Sequence, residues 1–240
     1  PWLAGDRRLP RGPALKVHLQ RSAAVAFMAP LFFYAIVRLP LAESIALSFI
    51  APLIALYLAA IMLGEVIRPT AIAAALLGIA GVLVIGYGRF GQGHYAPDAI
   101  KGVAAVLVSA MFYAVNLVLQ RRQALLAGPV EVALFQNLLT GLMLLIAAPW
   151  LLAWPSQAAL GYIAFAAVLA VGAILLLSWA YARAETQALV PTEYTGFLWA
   201  ALFGWLWFGE RVTMAIFAGA GLIVVGCLIA ARQPTEQTVV

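Results

Sequence analysis

The sequence predicts an all-α membrane protein with inverted five-helix repeats, in which eight transmembrane helices lie within this chain out of ten expected. Three observations predict this fold: the composition, the lengths of the apolar segments and an internal repeat. Hydrophobic residues make up 65% of the 240 residues and charged residues 10%, whereas a soluble domain averages roughly 45–50% apolar and about 25% charged. Because a chain this apolar cannot cover itself with a polar surface, much of its solvent must be lipid.

Apolar segments of membrane-crossing length follow one another along the chain. A helix needs about 20 residues to cross a hydrocarbon core of roughly 30 Å. Splitting the sequence at charges, prolines and glycines leaves eight segments of about this length: 21–38, 42–63, 69–87, 99–120, 130–153, 159–182, 187–208 and 212–231. The loop at 88–98 separates a first repeat at 1–88 from a second at 99–232, and a polar tail occupies 233–240.

An internal repeat supports this division. A shift of 145 residues brings Gly64-Glu65 onto Gly209-Glu210, and with no gap it superposes Ala35 on Ala180, Arg38 on Arg183, Leu53 on Leu198 and Gly81 on Gly226. The spacing of Ala51, Ala55 and Ala59 puts them on one helical face, where a neighbouring backbone can approach closely. The alternative is chance matching between helices rich in Ala, Gly and Leu. The ungapped register across three helices counts against chance.

The repeat also indicates what precedes this chain. The second repeat has five segments and the first has three. Pro149-Trp150-Leu151 closes the second segment of the later repeat, and Pro1-Trp2-Leu3 occupies nearly the same register. We therefore expect two helices and about 50 residues before Pro1 in the natural protein. An odd number of spans per repeat gives the two repeats opposite orientations.

The basic residues predict the orientation of the chain in a cell membrane. If the segment before the first span is cytoplasmic, ten Lys and Arg side chains lie inside and four outside. The four outside are Arg38, Arg89, Lys101 and Arg211. Such an excess is what the positive-inside rule predicts. Since the basic residues sit at the ends of apolar runs rather than along one polar face, they indicate a lipid bilayer and not a nucleic acid as the partner.

Glu193 is the acidic residue whose position most favours a function. It lies about six residues into the span 187–208, or roughly 9 Å along a helix axis. An ionised carboxylate at that depth costs several kcal/mol unless it is hydrated, paired or protonated. Pro191 lacks a backbone donor and can loosen the helix beside it. Two interpretations stay open: a cavity-facing functional group, or a solvated group near the interface with Arg183 or Arg121 as its partner.

The remaining acidic residues lie closer to helix ends. Glu43 is a weaker candidate near the outer end of its span. Glu65 and Glu210 close equivalent spans and are interpreted as interfacial anchors or as acceptors of interhelical hydrogen bonds. Glu131 lies in the first turn of its helix, where a carboxylate complements the macrodipole.

Polar side chains inside other spans form a candidate lining. Ser109, Tyr113, Asn116 and Gln120 are spaced by four, three and four residues and so form one stripe on a helix. Further polar or aromatic candidates are Tyr34, Gln136, Asn137, Thr140, Ser178, Trp179, Tyr181 and Trp199. Singly, such residues often join helices by hydrogen bonds. Together they indicate a cavity with aromatic walls and few charges, suited to amphipathic or zwitterionic solutes.

Enzyme signals are weak. Gly86-Tyr-Gly-Arg-Phe-Gly91 matches the dinucleotide pattern but follows a membrane span and not a strand, so we interpret it as a loop. His18 and His94 lie on opposite sides of the membrane in this topology and cannot share a metal. We therefore expect no catalytic residue, no cofactor and no metal site.

The sequence resembles a known transporter domain. The stretch that carries the resemblance is Leu39-Pro-Leu-Ala-Glu-Ser-Ile-Ala-Leu-Ser-Phe-Ile-Ala-Pro-Leu53, followed by Leu63-Gly-Glu65 and Gly78-Ile-Ala-Gly-Val82. The second half repeats it with Phe208-Gly-Glu210 and Gly221-Leu-Ile-Val-Val-Gly226. This pattern is similar to the EamA domain of the drug/metabolite transporter superfamily and covers nearly the whole chain.

The resemblance implies ten helices in two inverted repeats around a central cavity, and export of amino acids, metabolites or drugs. The cavity-facing candidates carried over by position are Tyr34, Asn116, Gln136, Trp179 and Glu193. The first hypothesis is therefore a secondary transporter of the bacterial inner membrane that exports a small-molecule substrate by alternating access, with protons coupled through Glu193. An integral membrane enzyme and a scaffold or sensor are the alternatives. Substrate identity, the coupling ion and the oligomeric state, including a homodimer, stay open.

Overall fold

The computed structural model describes residues 10–39, 41–87, 98–152, 154–196, 198–199, 202, 206 and 214–231. Every regular element in that part of the chain is a helix, as the sequence predicts. The helices are α1 (Pro13–Ile36), α2 (Leu41–Ser48), α3 (Ala51–Leu63), α4 (Pro69–Tyr87), α5 (Ala99–Leu126), α6 (Pro129–Leu151), α7 (Gln157–Tyr181), α8 (Thr186–Leu189), a 3₁₀ helix (Val190–Tyr194) and α9 (Met214–Ala231). The predictions made for His94, for Glu210 and for the tail at 233–240 lie outside the described residues, as does the side chain of Glu43.

Four of the described helices are long and apolar enough to cross a membrane. They are α1, Ile100–Leu126 within α5, Pro129–Trp150 within α6, and α7. Helix α3 and stretches of α4 and α9 are equally apolar but shorter. Along α7 nearly every large apolar side chain is exposed, such as Phe165 and Leu176. Such a surface fits contact with hydrocarbon better than contact with water.

Glycine, proline and serine mark the helix ends in the expected way. Gly64 follows α3 with a φ of 71°, a left-handed conformation that glycine adopts without steric cost. Pro129 occupies the first turn of α6, where its missing N–H would have had no helical partner. Ser156 precedes α7, and its Oγ accepts a hydrogen bond from the backbone N–H of Ala159 at 3.2 Å. These caps fix the helix boundaries locally.

Helices α1 and α5 are longer than the hydropathy predicts. The first apolar segment starts at 21 in the sequence, but α1 begins at Pro13. The segment at 99–120 continues to Leu126 as part of α5. Both extensions are rich in polar residues. Some of these side chains, such as His18 and Gln123, are buried in contact with each other, so the helices continue past the apolar segments.

Two of the predicted spans are interrupted. The segment at 42–63 is divided between α2 and α3 by a turn at Phe49 and Ile50, just before the proline in the first turn of α3. The segment at 187–208 begins as α8 and then tightens into the 3₁₀ helix Val190–Tyr194, which contains Pro191. The 145-residue shift places Phe49 on Tyr194, so the two interruptions overlap in the repeat register.

The described residues group into two compact units. The first, called unit 1, consists of residues 10–26 and Leu119–Arg183. The second, called unit 2, consists of Phe27–Val118 and residues 184–231. Helices α1 and α5 contribute residues to both units.

In unit 2, helices α4 and α9 pack closely through glycines in a reciprocal way. A Cβ added to Gly81 would lie 2.5 Å from the carbonyl oxygen of Gly219, and one added to Gly226 would lie 2.8 Å from that of Ala74. The repeat register pairs Gly81 with Gly226 and Ala74 with Gly219. Such exchange of contacts between equivalent residues is the signature of a two-fold relation. The local packing of α4 and α9 therefore follows the predicted register.

The core of unit 2 is built on small residues. Ala51, Ala55 and Ala59 of α3 are buried, as their spacing of four predicts. They belong to one cluster that also contains Ala114 of α5 and Tyr194 of the 3₁₀ helix. Small side chains allow helices to approach closely without polar groups between them. This packing brings the interrupted segments against α5.

Candidate functional site

Unit 2 contains a cavity of about 340 Å³, within the range of roughly 300–1,000 Å³ that small-molecule sites occupy. Helices α1, α2 and α5 form its walls. The described lining consists of Met28, Ala29, Phe32, Phe33, Ser48, Ser109, Ala110 and Tyr113. Apolar and aromatic side chains dominate this lining, and its described residues include no Lys, Arg, His, Asp or Glu.

Helical spacing explains why these residues share one cavity. The four residues from α1 and the three from α5 recur at intervals of one, three and four, which is one face of each helix. Ser48 is the last residue of α2 and lies directly before the interruption. Two members of the predicted polar stripe on α5, Ser109 and Tyr113, are among the lining residues.

All three hydroxyl groups of the lining donate to protein oxygens. Ser109 Oγ donates to the carbonyl oxygen of Met28 at 2.8 Å, a bond that joins α5 to α1. Ser48 Oγ donates to the carbonyl oxygen of Ile45, also at 2.8 Å. The hydroxyl of Tyr113 donates to Glu193 Oε2 at 2.5 Å. No side-chain donor of the described lining is therefore left over for a bound molecule.

Glu193 lies in the 3₁₀ helix and is partly buried. Its hydrogen bond to Tyr113 joins it to the wall of the cavity. Arg183, one of the alternative partners considered from the sequence, instead donates to the carbonyl oxygen of Trp179 at 3.0 Å and lies over the Trp179 ring at 4.4 Å. Among the described residues, the carboxylate of Glu193 is therefore bonded to the phenol of Tyr113.

The residue after Glu193 connects the two interruptions. Tyr194 is fully buried, and its ring lies 5.2 Å from that of Phe49. Its hydroxyl donates to the carbonyl oxygen of Phe49 at 3.4 Å. A Cβ at Gly78 of α4 would collide with the Tyr194 ring, so glycine at that position makes room for it. Phe49 and Tyr194 are repeat equivalents and contact each other directly, as residues near a two-fold axis do.

The five predicted site residues are distributed over both units. Glu193, Asn116 and Tyr34 belong to unit 2, and Gln136 and Trp179 to unit 1. None of the five is among the described lining residues, and Glu193 reaches the cavity wall through its bond to Tyr113.

The other four have different surroundings. Asn116 is buried, and Tyr34 is partly exposed with the guanidinium of Arg38 over its ring at 3.4 Å. Gln136 is buried and donates to Thr140 Oγ1 at 3.0 Å, while its Oε1 has no hydrogen-bond partner in the described part of the chain. Trp179 is 53% exposed.

Glu65 behaves as one of its two predicted roles requires. Its Oε1 accepts hydrogen bonds from the backbone N–H and the hydroxyl of Thr186, at 3.2 and 3.1 Å. The backbone N–H of Arg68 in turn donates to Gln187 Oε1 at 3.1 Å. These bonds tie the end of α3 to the start of α8, so Glu65 is an acceptor of interhelical hydrogen bonds.

Unit 1 contains a buried polar network that the sequence interpretation missed. Arg21 Nη1 donates to Gln123 Oε1 at 2.6 Å, and Nη2 donates to Gln120 Oε1 at 3.0 Å. Gln123 Nε2 lies 2.5 Å from His18 Nδ1, and His18 Nε2 lies 3.2 Å from Glu131 Oε1. Hydropathy starts the first span at 21 and ends the fourth at 120, which divides this network. Spacings of three along 18–21 and 120–123 could have indicated that both helices continue.

A family model now places these features in context: the model of the EamA-like transporter family matches residues 5–87 and 100–232. The chain belongs to the EamA-like transporter family. The EamA-like family is part of the drug/metabolite transporter superfamily. This confirms the resemblance found in the sequence. A comparison with curated proteins gives no match.

Solved structures support the fold. The comparison gives 27 matching chains. One of them, a crystal structure of a protein, aligns over 96% of this chain and 82% of its own, with a TM-score of 0.75 and 24% sequence identity. At that identity the likeness concerns the fold alone. As an EamA-like protein, the chain is a multi-pass membrane transporter whose partners are the bilayer and small-molecule substrates.

Proposed function

We propose that this EamA-like protein is a secondary transporter of the bacterial inner membrane, which exports a small metabolite, amino acid or drug by alternating access. The unit 2 cavity is the substrate site in this proposal. The observation that supports it most directly is the position of the cavity beside both interruptions. Ser48, directly before the first interruption, lines the cavity, and the lining residue Tyr113 bonds to Glu193 in the second. Transporters with inverted repeats bind substrate where discontinuous helices meet at the interface of the repeats.

Glu193 is the proposed coupling group. An ionisable side chain within a membrane protein is costly and is usually retained for a function. A carboxylate held by a neutral phenol can give up or take up a proton without breaking an ion pair, so one group can serve the proton and the substrate in turn. Tyr113 positions this carboxylate at the cavity wall.

Alternating access supplies roles for the other candidates. The turn after Ser48 and the 3₁₀ helix Val190–Tyr194 interrupt the α-helices and are the proposed flexible points. Tyr34, Asn116, Gln136 and Trp179 stay proposed substrate contacts for stages of the cycle in which the walls of the cavity rearrange.

Efflux from reconstituted vesicles tests the proposal. Vesicles with the purified protein are loaded with a panel of labelled amino acids, organic cations and other metabolites, and a pH gradient is imposed. We expect at least one compound to leave faster with the gradient than without it, and Glu193→Gln to abolish that acceleration. Glu185→Gln is the matched control, because Glu185 lies eight residues earlier and is bonded to Gln187 outside the cavity.

Two results would contradict the proposal. Gradient-driven efflux that is unchanged in Glu193→Gln would remove the carboxylate from coupling while leaving the transporter family intact. Failure of every compound in the panel to move through the intact protein would contradict the assignment of the cavity as an export site.

A tag after Val240 should be found on the cytoplasmic side, because the charge bias predicts that orientation.

A further inference from the structure

The side chains around the unit 2 cavity differ in what they can offer a bound molecule. Five of the eight lining residues carry no polar side-chain hydrogen: Met28, Ala29, Phe32, Phe33 and Ala110. The hydroxyls of Ser48, Ser109 and Tyr113 are all committed as donors to protein oxygens. A carboxylate or phosphate group entering this cavity would lose its water and find no side-chain donor in the described lining, which is costly for an anion.

A cation meets the opposite situation. Aromatic faces attract ammonium groups through their quadrupole, and Phe32 and Phe33 supply two such rings. Glu193 supplies a carboxylate one hydrogen bond from the wall. In the described residues Tyr113 is the hydrogen-bond partner of that carboxylate, and it bonds to Oε2. Among the described residues, Glu193 is therefore a carboxylate bonded to a lining residue of a cavity whose described lining carries no charge.

We propose that the unit 2 cavity selects small organic cations that carry an apolar or aromatic group, and discriminates against the corresponding anions and amino acids. The apolar group occupies the space between α1 and α5, and the cationic group lies toward Tyr113 and Glu193. This inference rests on the proposed function for the identity of the site, and it narrows the substrate class. It differs from the expectation of a zwitterionic solute, because a zwitterion brings a carboxylate that this lining does not satisfy.

Binding of a matched series of ligands to the purified full chain tests the inference. The probes share a benzyl or phenethyl group and differ in the charged end: benzyltrimethylammonium, 2-phenylethanol, phenylalanine and 3-phenylpropionate. Benzyltrimethylammonium has a permanent charge, so its protonation does not change with pH. Calorimetry in detergent should give it a Kd at least about tenfold lower than those of phenylalanine and 3-phenylpropionate, because desolvated charge interactions exceed those in water.

Two variants connect the binding to the proposed residues. Glu193→Gln keeps an acceptor for the Tyr113 hydroxyl. It should weaken binding of the cation about tenfold or more and leave the affinity for 2-phenylethanol unchanged. Phe33→Leu should weaken binding of the cation about two- to fivefold, which is the range expected for a cation over an accessible ring. Phe27→Leu is the matched control on the same helix, since Phe27 is 60% exposed against 63% for Phe33 and is not among the lining residues.

The outcomes separate this inference from the proposed function. Equal or tighter binding of phenylalanine or 3-phenylpropionate, or no binding of the cation, would overturn the inference. If efflux of some other compound still depends on Glu193, the transport proposal stands alone. If the cation binds in a Glu193-dependent way and nothing is transported, the site assignment holds and the transport proposal fails. Thermal unfolding of each variant in detergent reports whether the fold is retained.

Discussion

The two interruptions in unit 2 overlap in the repeat register, yet their side chains differ in chemistry. In the first repeat, Ser48 ends α2, and its hydroxyl bonds locally to the carbonyl oxygen of Ile45. In the second, the register places Glu193 at the same position, where it bonds to Tyr113 of α5. The next pair is Phe49 and Tyr194, of which only Tyr194 carries a hydroxyl. Both repeats have an interruption, as a turn at Phe49 and Ile50 in the first and as the 3₁₀ helix Val190–Tyr194 in the second. The polar groups at the interruptions that bond to another helix or to the other interruption belong to the second repeat.

This difference distinguishes residues that both repeats need for helix packing from residues that are proposed to determine selectivity. The close packing of α4 and α9 is reciprocal, since Gly81 and Gly226 each approach a carbonyl oxygen of the other helix. Packing of this kind constrains both copies equally. The proposed coupling carboxylate has no such requirement for symmetry, because the proposal needs only one carboxylate beside one cavity.

The comparison is tested most strongly by substitutions at positions 48 and 193. We expect Glu193→Ser to reduce gradient-driven efflux about a hundredfold or to abolish it, because the second interruption then carries the same side chain as the first and the partly buried carboxylate is lost. Ser48→Ala should change the rate less than about threefold, since its hydroxyl bond is local. Efflux rates from vesicles measure both. Equal losses in the two variants would mean that the interruptions contribute alike.

A smaller loss is expected when the partner of the carboxylate is removed. Tyr113→Phe deletes a hydrogen bond to an ionisable group, which is typically worth about 1.5–3 kcal/mol, so coupled efflux should fall about tenfold or more. Tyr57→Phe is the matched control, because Tyr57 lies on α3 and is largely exposed. Unaltered efflux in Tyr113→Phe, with normal thermal stability, would show that Glu193 acts without being positioned by Tyr113.

The sequence predicts the helix packing that the two repeats share better than it predicts the polar groups that differ between them. Composition and spacing predict the helices, and the small residues Ala51, Ala55 and Ala59 are buried as their spacing requires. The 145-residue register also anticipates the reciprocal contacts of Gly81 and Gly226. These features depend on side-chain size and apolarity, which are read directly from the residue types.

The lining of the cavity could not be predicted from hydropathy. Met28, Phe32 and Phe33 face the cavity, but a lipid-facing helix would carry the same residue types, so apolar character does not distinguish the two. The polar network around Arg21 was missed for the opposite reason: hydropathy ends a span at a charge, whereas Gln120 and Gln123 satisfy that charge by hydrogen bonds. The predicted roles of Gln136 and Trp179 in the site stay predictions.

Room for the Tyr194 ring provides a test of stability. Gly78→Ala places a methyl group against that ring, and overpacking of this kind typically costs about 1–3 kcal/mol. We expect a lower unfolding temperature in detergent and weaker efflux. Gly141→Ala is the control, since a Cβ at Gly141 of α6 meets no neighbour within 4 Å. If the two variants unfold at the same temperature, the close approach of α4 to the second interruption does not stabilise the protein.

The smallest expected effect concerns the single hydroxyl that joins the interruptions. The Tyr194 hydroxyl donates to the carbonyl oxygen of Phe49, and Phe49 has no hydroxyl with which to return the bond. If alternating access exchanges the roles of the repeats, the reciprocal bond cannot form, so this bond stabilises one state alone. A hydrogen bond contributes about 0.5–1.5 kcal/mol, and Tyr194→Phe should therefore reduce the ratio of that state to the other about two- to tenfold.

Distances between spin labels across the cavity would measure this ratio. The double variant Phe49→Tyr/Tyr194→Phe moves the hydroxyl to the first repeat, and the bias should then favour the opposite state. An unchanged distribution in both variants would mean that the hydroxyl stabilises the two states equally. A reversal would show that one atom, present in one repeat and absent from its equivalent, sets which state the transporter prefers at rest.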